Sequence, residues 1–306
     1  MRGGELVAFP TETVYGLGAN GLDGEAAKKI YEAKGRPSDN PLILHVASLY
    51  QFKELSGKLS RSAILLAGEF WPGPMTLVVK KNKHIPDVVT AGLDTVAVRY
   101  PANRDAQELI RAAGVPIAAP SANLSGSPSP TNARDVLEDM EGRIAAILDG
   151  GECSVGVEST IIDTTTNPVT ILRPGGITVE MVEGLLGAVR LDPALQGVEA
   201  AVPKAPGMKY RHYAPKARVV LCQTFQEIMA AVRGNRTEKR KIGVIAQKRV
   251  VGCFSRVYRD GAELAENLFA FLRDLDRKQV EIIYVEIVPE TGIGLAVMNR
   301  LRKAAR

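Results

Sequence analysis

Short apolar runs bounded by Gly, Pro, Asn or Asp recur through the first two hundred residues, a pattern typical of buried strands. They predict strands at Leu6–Phe9, Pro41–Ala47, Met75–Lys80, Thr95–Tyr100, Pro116–Pro120, Ser159–Asp163 and Val169–Arg173. Helical patterns, several of them behind a capping residue, lie between these runs at Glu25–Ala33, Ser60–Glu69, Arg104–Ala113, Ala133–Met140 and Val179–Leu186. This order predicts an α/β layer structure. Because the spacing is irregular and some strands follow one another directly, we expect a mixed sheet.

The pattern of strands and helices dissolves between Gly187 and about Ala217, where prolines, glycines and charged residues follow one another. This stretch is too long and too irregular for a tight turn, so it predicts a linker. Beyond it, strands at Arg218–Cys222, Lys241–Ala246 and Val280–Ile287 alternate with helices at Phe225–Arg233, Ala262–Asp276 and Ile293–Ala304. The sequence therefore predicts a mixed-sheet domain at residues 1–190, a linker at 191–217 and a small parallel α/β domain at 218–306.

The composition narrows the class of protein. With 306 residues, of which 45% are hydrophobic and 24% charged, the chain is long enough for two globular domains. No apolar run approaches the roughly 18 residues of a membrane-spanning helix, and the first residues leave no room for a signal peptide, so we expect a cytoplasmic protein without membrane association. Cys153, Cys222 and Cys253 are too few and too far apart for a disulfide framework or a zinc site. We interpret them as small buried hydrophobes.

The net charge of +5 suits an anionic partner such as a nucleotide, tRNA or a membrane surface. Many soluble proteins are this basic, so the charge alone decides little. The tightest basic run, Lys239–Lys241, lies in a polar stretch and is more typical of a solvated loop than of a nucleic-acid contact.

Two polar segments interrupt the strand pattern. Thr11–Gly18 follows the run Leu6–Phe9 with hydroxyls, a carboxylate and glycines, and a strand that ends in this way usually ends at a ligand. Lys34–His45 reverses the arrangement, because a basic and polar loop leads into a strand that carries a histidine. Together they favour a single site that binds an anionic ligand through cations and hydroxyls. Gly16–Gly21 also matches the G-x-G-x-x-G pattern of dinucleotide-binding folds, in which the first glycine closely follows a strand. The match is accidental, because six residues separate the strand from Gly16 here and the acid about 20 residues on, Asp39, lies in a loop.

The cations of this region have two interpretations each. Lys34 and Arg36 flank a glycine at the end of a helical pattern, where the helix dipole alone accounts for them. With Asn40 and His45 they form instead a set of cation, amide and imidazole groups suited to a triphosphate and a second polar substrate. Arg99 lies inside an apolar run and needs an anion if it is buried. A ligand carboxylate and an internal salt bridge are equally good partners for it.

Small and polar residues follow the predicted strand Pro116–Pro120. Ser121 and Asn123 stand among alanines there, so a ligand can approach the backbone closely, although a plain Asx or serine turn has the same composition. Ser159 and Arg173 are the polar exceptions in two runs that resemble a hairpin. The sequence has no metal-ligand cluster, P-loop or nucleophile elbow. Its cations, hydroxyls and amides suit a site that orients substrates and stabilises charge at phosphorus.

Six ordered motifs resemble the YrdC-type threonylcarbamoyl-AMP synthase family, and the match spans nearly the whole chain. They are Pro10–Gly18, Lys34–Pro37, Asn40–Leu42, Trp71–Thr76, Ala119–Asn123 and Glu158–Thr160. Pro206–Pro215 and Gly292–Leu301 resemble the two-domain form of that family. The resemblance implies a twisted mixed-sheet N-terminal domain and a small Rossmann-like parallel α/β C-terminal domain. Family members usually carry a helix before the first strand, whereas only nine residues precede the first motif here.

The resemblance implies that L-threonine, bicarbonate or CO2, and ATP with Mg2+ condense to threonylcarbamoyl-AMP and pyrophosphate. The residues that it implies for threonine binding are Thr13, His45, Arg99, Ala119 and Ser159. Those that it implies for ATP binding are Lys34, Arg36, Asn40, Thr95, Ser121, Ser129, Arg173 and Tyr213. Lys34 and Arg36 are also the expected catalytic residues, because they would take up charge on the leaving pyrophosphate. Tyr210, His212 and Tyr213 of the linker are expected to close over the nucleotide as a gate.

The same resemblance implies that the product passes to a tRNA threonylcarbamoyl transferase, alongside a weak contact with tRNA. Two rival functions fit parts of the sequence. The first is a protein that binds tRNA or double-stranded RNA by its basic surface without making an adenylate. The second is the related carbamoyl-transfer domain of hydrogenase maturation, although that larger architecture brings paired zinc-binding cysteines that this sequence lacks.

Overall fold

The structure of the protein is a computed structural model that describes residues 1–196, 212–235 and 241–306. The described residues form two compact units. The first contains residues 1–125 and 129–196, and the second contains residues 126–128 together with 212–235 and 241–306. The predicted domain boundaries at 190 and 218 enclose a segment of which residues 197–211 lie outside the described residues, so these boundaries stay a prediction.

The first unit alternates strands and helices along most of its length. Its strands are β1 (Val7–Phe9), β2 (Gly16–Asn20), β3 (Ile43–His45), β4 (Met75–Lys80), β5 (Thr95–Arg99), β6 (Ile117–Ala119), β7 (Ala146–Ile147), β8 (Thr160–Asp163), β9 (Thr170–Arg173) and β10 (Arg190–Leu191). Its helices are α1 (Gly24–Lys34), α2 (Leu49–Leu55), α3 (Arg61–Phe70), α4 (Asp87–Thr90), α5 (Arg104–Ala113), α6 (Ala133–Met140) and α7 (Val179–Leu186).

Side chains outside the helices satisfy the first free N–H groups of most of them, as the sequence predicts. The capping residues are Asp23, Ser48, Ser60, Asn103, Asn132 and Thr178. Each accepts a hydrogen bond from a backbone N–H in the first turn of its helix. Gly35 and Gly114 end α1 and α5 in the left-handed region at φ 60° and 68°, where glycine avoids the strain that a side chain would bring. The helix bounds are therefore set by local chemistry.

The ten strands form one mixed sheet in the order β10-β9-β8-β4-β5-β3-β6-β2-β1-β7. The pairs β3–β5 and β4–β8 are parallel, whereas β4–β5, β3–β6 and β8–β9 are antiparallel. Leu77 and Val98 point to the face that carries the main hydrophobic core. Because side chains alternate along a strand, Val78 and Ala97 point to the opposite face, where they join a smaller apolar cluster.

The strand β2 contains Gly16 and Gly18, two of the three glycines that match the G-x-G-x-x-G pattern of dinucleotide-binding folds. A Cβ atom on Gly16 would lie 3.0 Å from the ring of Phe9, and one on Gly18 would lie 2.8 Å from Cγ2 of Ile117. β2 pairs with β1 through Phe9 and Gly16, so these glycines allow close packing between strands and against neighbouring side chains. Packing within the sheet accounts for the motif, and no phosphate-binding loop is needed to explain it.

The second unit is a smaller α/β layer structure. Its strands are β11 (Arg218–Cys222), β12 (Ile242–Ala246), β13 (Phe254–Val257) and β14 (Ile282–Glu286), and its helices are α8 (Phe225–Asn235), α9 (Gly261–Arg277) and α10 (Gly294–Ala304). The strands pair in the order β11-β14-β12-β13 and every pair is parallel. A mixed sheet followed by a small parallel sheet confirms the predicted fold class.

The sequence pattern missed several short or atypical elements. They are β2, β7, β10, β13, α2 and α4. β7 and β10 have two residues each and pair at opposite edges of the first sheet, whereas β13 is half exposed, so none of these shows a buried apolar run. Leu191, at the start of the predicted linker, belongs to β10 and pairs with β9, and a 3-10 turn at Pro193–Gln196 follows it.

Candidate active site

One transverse row of the first sheet collects polar side chains. His45 on β3 is paired with Arg99 on β5, which is paired with Thr76 on β4. Thr76 is paired with Ile161 on β8, and Ile161 with Arg173 on β9. Residues directly opposite one another in a sheet share a face, so the four polar residues of this row project from the same face. Each is at most 5% exposed, although polar groups are rarely buried without a purpose.

Arg99 makes a buried ion pair with Glu12. One of its terminal nitrogens lies 2.7 Å from Oε1 of Glu12, and the other donates to Oγ1 of Thr13 at 2.8 Å. The second carboxylate oxygen of Glu12 accepts from the backbone N–H groups of Ala102 and Asn103 at 3.2 and 3.4 Å. Of the two partners considered for Arg99, a ligand carboxylate and a carboxylate of the protein, the structure thus shows the second, Glu12. Nε of Arg99 makes no hydrogen bond with any residue that the structure describes, which leaves a donor for a ligand.

Thr13, one of the predicted threonine-binding residues, is fully buried in the loop after β1. Its hydroxyl lies 2.9 Å from that of Thr11, which in turn donates to the backbone oxygen of Val14 at 2.6 Å. These hydrogen bonds hold the loop against the Arg99 side chain. The polar segment Thr11–Gly18, which the sequence predicts to lie beside a ligand, thus contacts the buried polar row through Thr13.

His45 is neutral at physiological pH. Burial, together with the nearby charge of Arg99, lowers the pKa of His45 to about 3. Its Nδ1 lies 3.2 Å from the carbonyl oxygen of Ile43, and its ring contacts Phe9 edge-on at 5.7 Å between centroids. The imidazole is therefore suited to a neutral hydrogen bond and does not supply a positive charge.

Lys34 joins the end of α1 to the loop that follows β6. The side chain is 3% exposed, and its ammonium donates to the carbonyl oxygens of Ser121, at 2.6 Å, and Asn123. Helix-dipole stabilisation of an exposed lysine does not account for this burial. The structure thus brings two predicted ATP-binding residues, Lys34 and Ser121, into contact.

Arg36 and Asn40 shape the loop between α1 and β3. Arg36 donates from one terminal nitrogen to the carbonyl oxygens of Asn40 and Pro41, at 3.1 and 3.3 Å. Asn40 has no exposed surface, yet neither the nitrogen nor the oxygen of its side-chain amide has a hydrogen-bond partner within residues 1–196, 212–235 and 241–306. Buried amides are nearly always hydrogen-bonded. Its two polar atoms are therefore suited to a ligand, in line with the predicted role.

The loop after β6 lies against the polar segment that follows β1. The N–H of Leu17 donates to the carbonyl of Pro120 at 2.8 Å, and that of Ala122 donates to the carbonyl of Tyr15 at the same distance. Ser121 bridges to Gly16, and its hydroxyl is 2.5 Å from Oδ1 of Asn123. Ala119 is the last residue of β6 and is 2% exposed.

Ser159 and Arg173 are bound to each other across the β8–β9 hairpin. Nε of Arg173 lies 3.1 Å from the carbonyl of Ser159, and one terminal nitrogen lies 3.0 Å from that carbonyl and 3.1 Å from Oγ. Oγ of Ser159 is also 2.8 Å from Oγ1 of Thr76. Ser129, which is 1% exposed, donates to Oε1 of Glu158 at 2.6 Å. Predicted threonine and ATP residues thus share one hydrogen-bonded region.

The remaining predicted site residues are Thr95 in the first unit, His212 and Tyr213 in the second unit, and Tyr210 outside the described residues. Thr95 begins β5, about 13 Å from Arg99 at the usual rise of a strand. Tyr213 is buried in the second unit, where its ring stacks on Phe269 at 5.3 Å and lies 5.7 Å from the guanidinium of Arg300. His212 contacts the Tyr213 ring at 5.6 Å. Tyr210 lies outside the described residues. The roles of Thr95 and of the linker residues stay predictions.

Three polar residues emerge only from the structure. Glu12, Thr76 and Glu158 lie inside the motifs quoted from the sequence, and their contacts hold Arg99, Ser159 and Ser129. The position of Thr76 in the apolar run Met75–Lys80 was the one available hint, since a buried hydroxyl in a strand needs a partner. The region as a whole offers cations, hydroxyls and amides, which orient an anionic ligand and stabilise negative charge.

Within residues 1–196, 212–235 and 241–306, no cluster of three or more His, Cys, Asp and Glu side chains is placed to hold a metal. Burial raises the pKa of Cys153 to about 12, so it packs as a thiol, in line with its interpretation as a small hydrophobe. Over the same described ranges, no helix is both long and apolar enough to cross a bilayer.

A large mixed sheet with a buried row of cations and hydroxyls, followed by a small parallel α/β unit, defines a two-domain α/β protein with a polar ligand site. Two family models match this chain. The Sua5/YciO/YrdC model, described as "Telomere recombination", matches residues 1–175, and the model described as "Threonylcarbamoyl-AMP synthase, C-terminal domain" matches residues 177–306. The chain belongs to the Sua5/YciO/YrdC family, in its form with the additional C-terminal domain.

Relatives with assigned names match over the full chain. A threonylcarbamoyl-AMP synthase of Pyrococcus abyssi is 51% identical and the match covers 100% of this chain and 92% of the relative. A protein of the same name from Bacillus subtilis is 46% identical, with 100% and 90% covered. The crystal structure of P. abyssi Sua5 complexed with L-threonine superposes with a TM-score of 0.96 at 51% identity, covering 99% of this chain and 91% of that one. These findings confirm the predicted family.

Proposed function

We propose that the protein condenses L-threonine, bicarbonate or CO2, and ATP to threonylcarbamoyl-AMP with release of pyrophosphate. The observation that carries the proposal is the buried row of His45, Arg99, Thr76 and Arg173 on one face of the sheet. It is supported by the full-length similarity to relatives named threonylcarbamoyl-AMP synthase and by the threonine complex of one of them. On the sequence observations, we place this reaction in the cytoplasm and its product with a tRNA threonylcarbamoyl transferase.

The proposed roles follow from charge and hydrogen bonding. Nε of Arg99 would donate to the threonine carboxylate, because Glu12 and Thr13 hold the two terminal nitrogens of the guanidinium in place. The neutral His45 and the Ser159 hydroxyl would complete the threonine site. The threonine amine would form an N–C bond to CO2 and release a proton, which gives a carbamate.

The nucleotide would lie against the cations that end α1. A carbamate oxygen would attack the α-phosphorus as the bond to the pyrophosphate oxygen breaks, while Lys34 and Arg36 stabilise the negative charge that develops. Asn40 would supply an amide to the nucleotide. The described residues provide no protein cluster for a metal, so we propose that Mg2+ enters with the ATP phosphates and neutralises part of their charge.

The purified protein should release pyrophosphate from ATP and Mg2+ only when threonine and bicarbonate are both present. Each amino acid is tested in turn, and the product is identified by chromatography and by the mass of threonylcarbamoyl-AMP. Lys34→Ala and Arg36→Ala should lower the rate at least 100-fold with the fold intact, since lost charge stabilisation at a reacting group typically costs on the order of that factor. Lys28→Ala is the matched control, because Lys28 lies in the same helix, is exposed and pairs with Glu25.

Near-normal turnover in both Lys34→Ala and Arg36→Ala would refute their roles. Absence of any adenylate from a folded protein would favour the RNA-binding alternative. That alternative predicts RNA affinity that falls steeply as salt rises.

A further inference from the structure

The hydroxyls of Thr76 and Ser159 are hydrogen-bonded to each other. Oγ1 of Thr76 and Oγ of Ser159 are 2.8 Å apart, and the two residues are 0% and 1% exposed. The Thr76 hydroxyl makes no other hydrogen bond within residues 1–196, 212–235 and 241–306. The Ser159 hydroxyl has one further partner, a terminal nitrogen of Arg173 at 3.1 Å.

The inventory of protons and lone pairs allows two directions for the Thr76–Ser159 hydrogen bond. Each hydroxyl has one proton and two acceptor positions, and the guanidinium of Arg173 can only donate. If Ser159 donates to Thr76, the proton left without an acceptor among the described residues is that of Thr76, and Ser159, the expected threonine-binding residue, offers no proton to a ligand. If Thr76 donates, its proton is satisfied and both acceptor positions of Ser159 are filled. The proton of Ser159 then remains for a third group.

We propose that Thr76 is a positioning residue that directs the proton of Ser159 toward an anionic oxygen of the amino-acid substrate. The inference rests on the proposed function, and the oxygen belongs either to the carboxylate or to the carbamate formed from the amine. Arg99 lies opposite Thr76 in the same row, so a negative charge at this position meets a cation as well as a hydroxyl donor.

The arrangement also determines the orientation of the substrate. A hydroxyl with both acceptor positions filled accepts nothing further, so a protonated amine gains no hydrogen bond from Ser159. The substrate therefore presents its oxygen atoms, and not an ammonium group, to Ser159. Because Arg173 donates to the same oxygen atom, its charge polarises the Ser159 hydroxyl and strengthens it as a donor.

Thr76→Val removes the hydroxyl while it keeps the branched shape of the side chain, and Thr76→Ser retains the hydroxyl. We expect Thr76→Val to weaken threonine binding, or to lower kcat at saturating threonine, by roughly 2- to 10-fold, the usual effect of one hydrogen bond. The KM for ATP should stay unchanged, and Thr76→Ser should restore most of the loss. Threonine binding is measured by calorimetry without bicarbonate, and turnover is measured by pyrophosphate release.

The decisive measurement is a double-mutant cycle. Since Thr76 acts only through Ser159, Thr76→Val should have no further effect in the background of Ser159→Ala. The matched control is Thr164→Val, because the buried Thr164 hydroxyl donates at 2.9 Å to the carbonyl of Val78, which lies on β4 together with Thr76. This control should change thermal stability without changing the threonine Kd or kcat.

Each outcome of the cycle has a defined meaning. Weaker threonine binding without bicarbonate identifies the carboxylate as the acceptor, and a lower kcat with unchanged binding identifies the carbamate. Unchanged binding and turnover in Thr76→Val, or additive effects in the double variant, would overturn the inference while the proposed function stands. A wild-type protein that binds threonine but makes no adenylate would overturn the proposed function alone, because the cycle can then be measured by binding. A wild-type protein that binds no threonine would overturn both.

Discussion

Replacement of Glu12 by glutamine tests how much the buried ion pair contributes to the first unit. The side chains of Arg99 and Glu12 are 5% and 10% exposed, and the carboxylate also binds two backbone N–H groups. Glutamine keeps the shape and an acceptor oxygen but removes the negative charge. The variant therefore leaves a buried guanidinium without its counter-charge.

The expected loss follows from that uncompensated charge. Removing one partner of a buried ion pair costs about 3–5 kcal/mol, and the low end of about 3 kcal/mol applies because glutamine retains hydrogen bonds. For a unit of this size, 1 kcal/mol corresponds to a shift in Tm of about 2–4 °C, so we expect Tm to fall by roughly 6–12 °C. Arg99→Met in the same chain should recover part of the loss, because it removes the unpaired charge.

Fluorescence gives an assay that is specific for the first unit. Trp71 is the one tryptophan of the chain and is 8% exposed in the core of that unit. Its emission during urea unfolding reports the free energy of the unit that contains Glu12. Glu108→Gln is the control, since Glu108 pairs with Arg104 on the exposed side of α5 and should leave the unfolding midpoint unchanged. A Glu12→Gln midpoint as close to wild type as that of the control would refute the reasoning. So would a loss of unfolding free energy in the double variant Glu12→Gln/Arg99→Met that equals the sum of the losses in the two single variants.

Two further variants test the backbone and the titration of the site. Gly175→Ala should reduce both activity and stability, because a Cβ there would overlap the backbone around Ser159. Gly184→Ala in α7 is the control, since a Cβ at that position meets open space and should change neither property. Pyrophosphate release measures activity and Trp fluorescence measures stability, and equal behaviour of the two variants would contradict the steric reasoning. Burial and a nearby guanidinium lower the pKa of His45 to about 3, so between pH 3 and 6.5 the unfolded chain binds more protons and stability falls as pH falls. Urea unfolding should show a loss of about 2 kcal/mol between pH 7.5 and 5 that is absent in His45→Gln, and parallel pH profiles of the two proteins would contradict the burial of a neutral imidazole.

The parts of the fold that follow local rules were predictable. Met75–Lys80 is a strand as expected, and Arg104–Ala113 is a helix with the expected bounds, because an apolar run and a capped amphipathic pattern each determine local structure. Gly16–Asn20 is a strand that propensity argues against, since glycines weaken strands. Its glycines are required by the side chains packed against them, and this tertiary constraint has no local trace in the sequence.

The candidate site was predictable as a set of residues but not as a set of partners. Thr13, Arg99 and Ser159 stand out in the sequence because each is polar where a core residue is expected, and Lys34 stands out because Asn40 and His45 follow it closely. Their hydrogen bonds link segments as far as 89 positions apart, so the sequence alone left open whether Arg99 meets a ligand or the protein. Only the pairing of the strands places Glu12 beside it.

Strand register explains why the polar residues form one row. His45, Arg99 and Thr76 of the row each sit between neighbours that point to the main core, as Thr76 does between Met75 and Leu77. A shift of one residue in β4 would turn Thr76 into that core and leave Ser159 without its donor. The apolar positions that stabilise the sheet thus also fix which hydroxyls face the site. For this reason, the proposed donation from Thr76 to Ser159 depends on the register of the whole sheet, and a substitution that alters the register should abolish threonine binding even with every site residue retained.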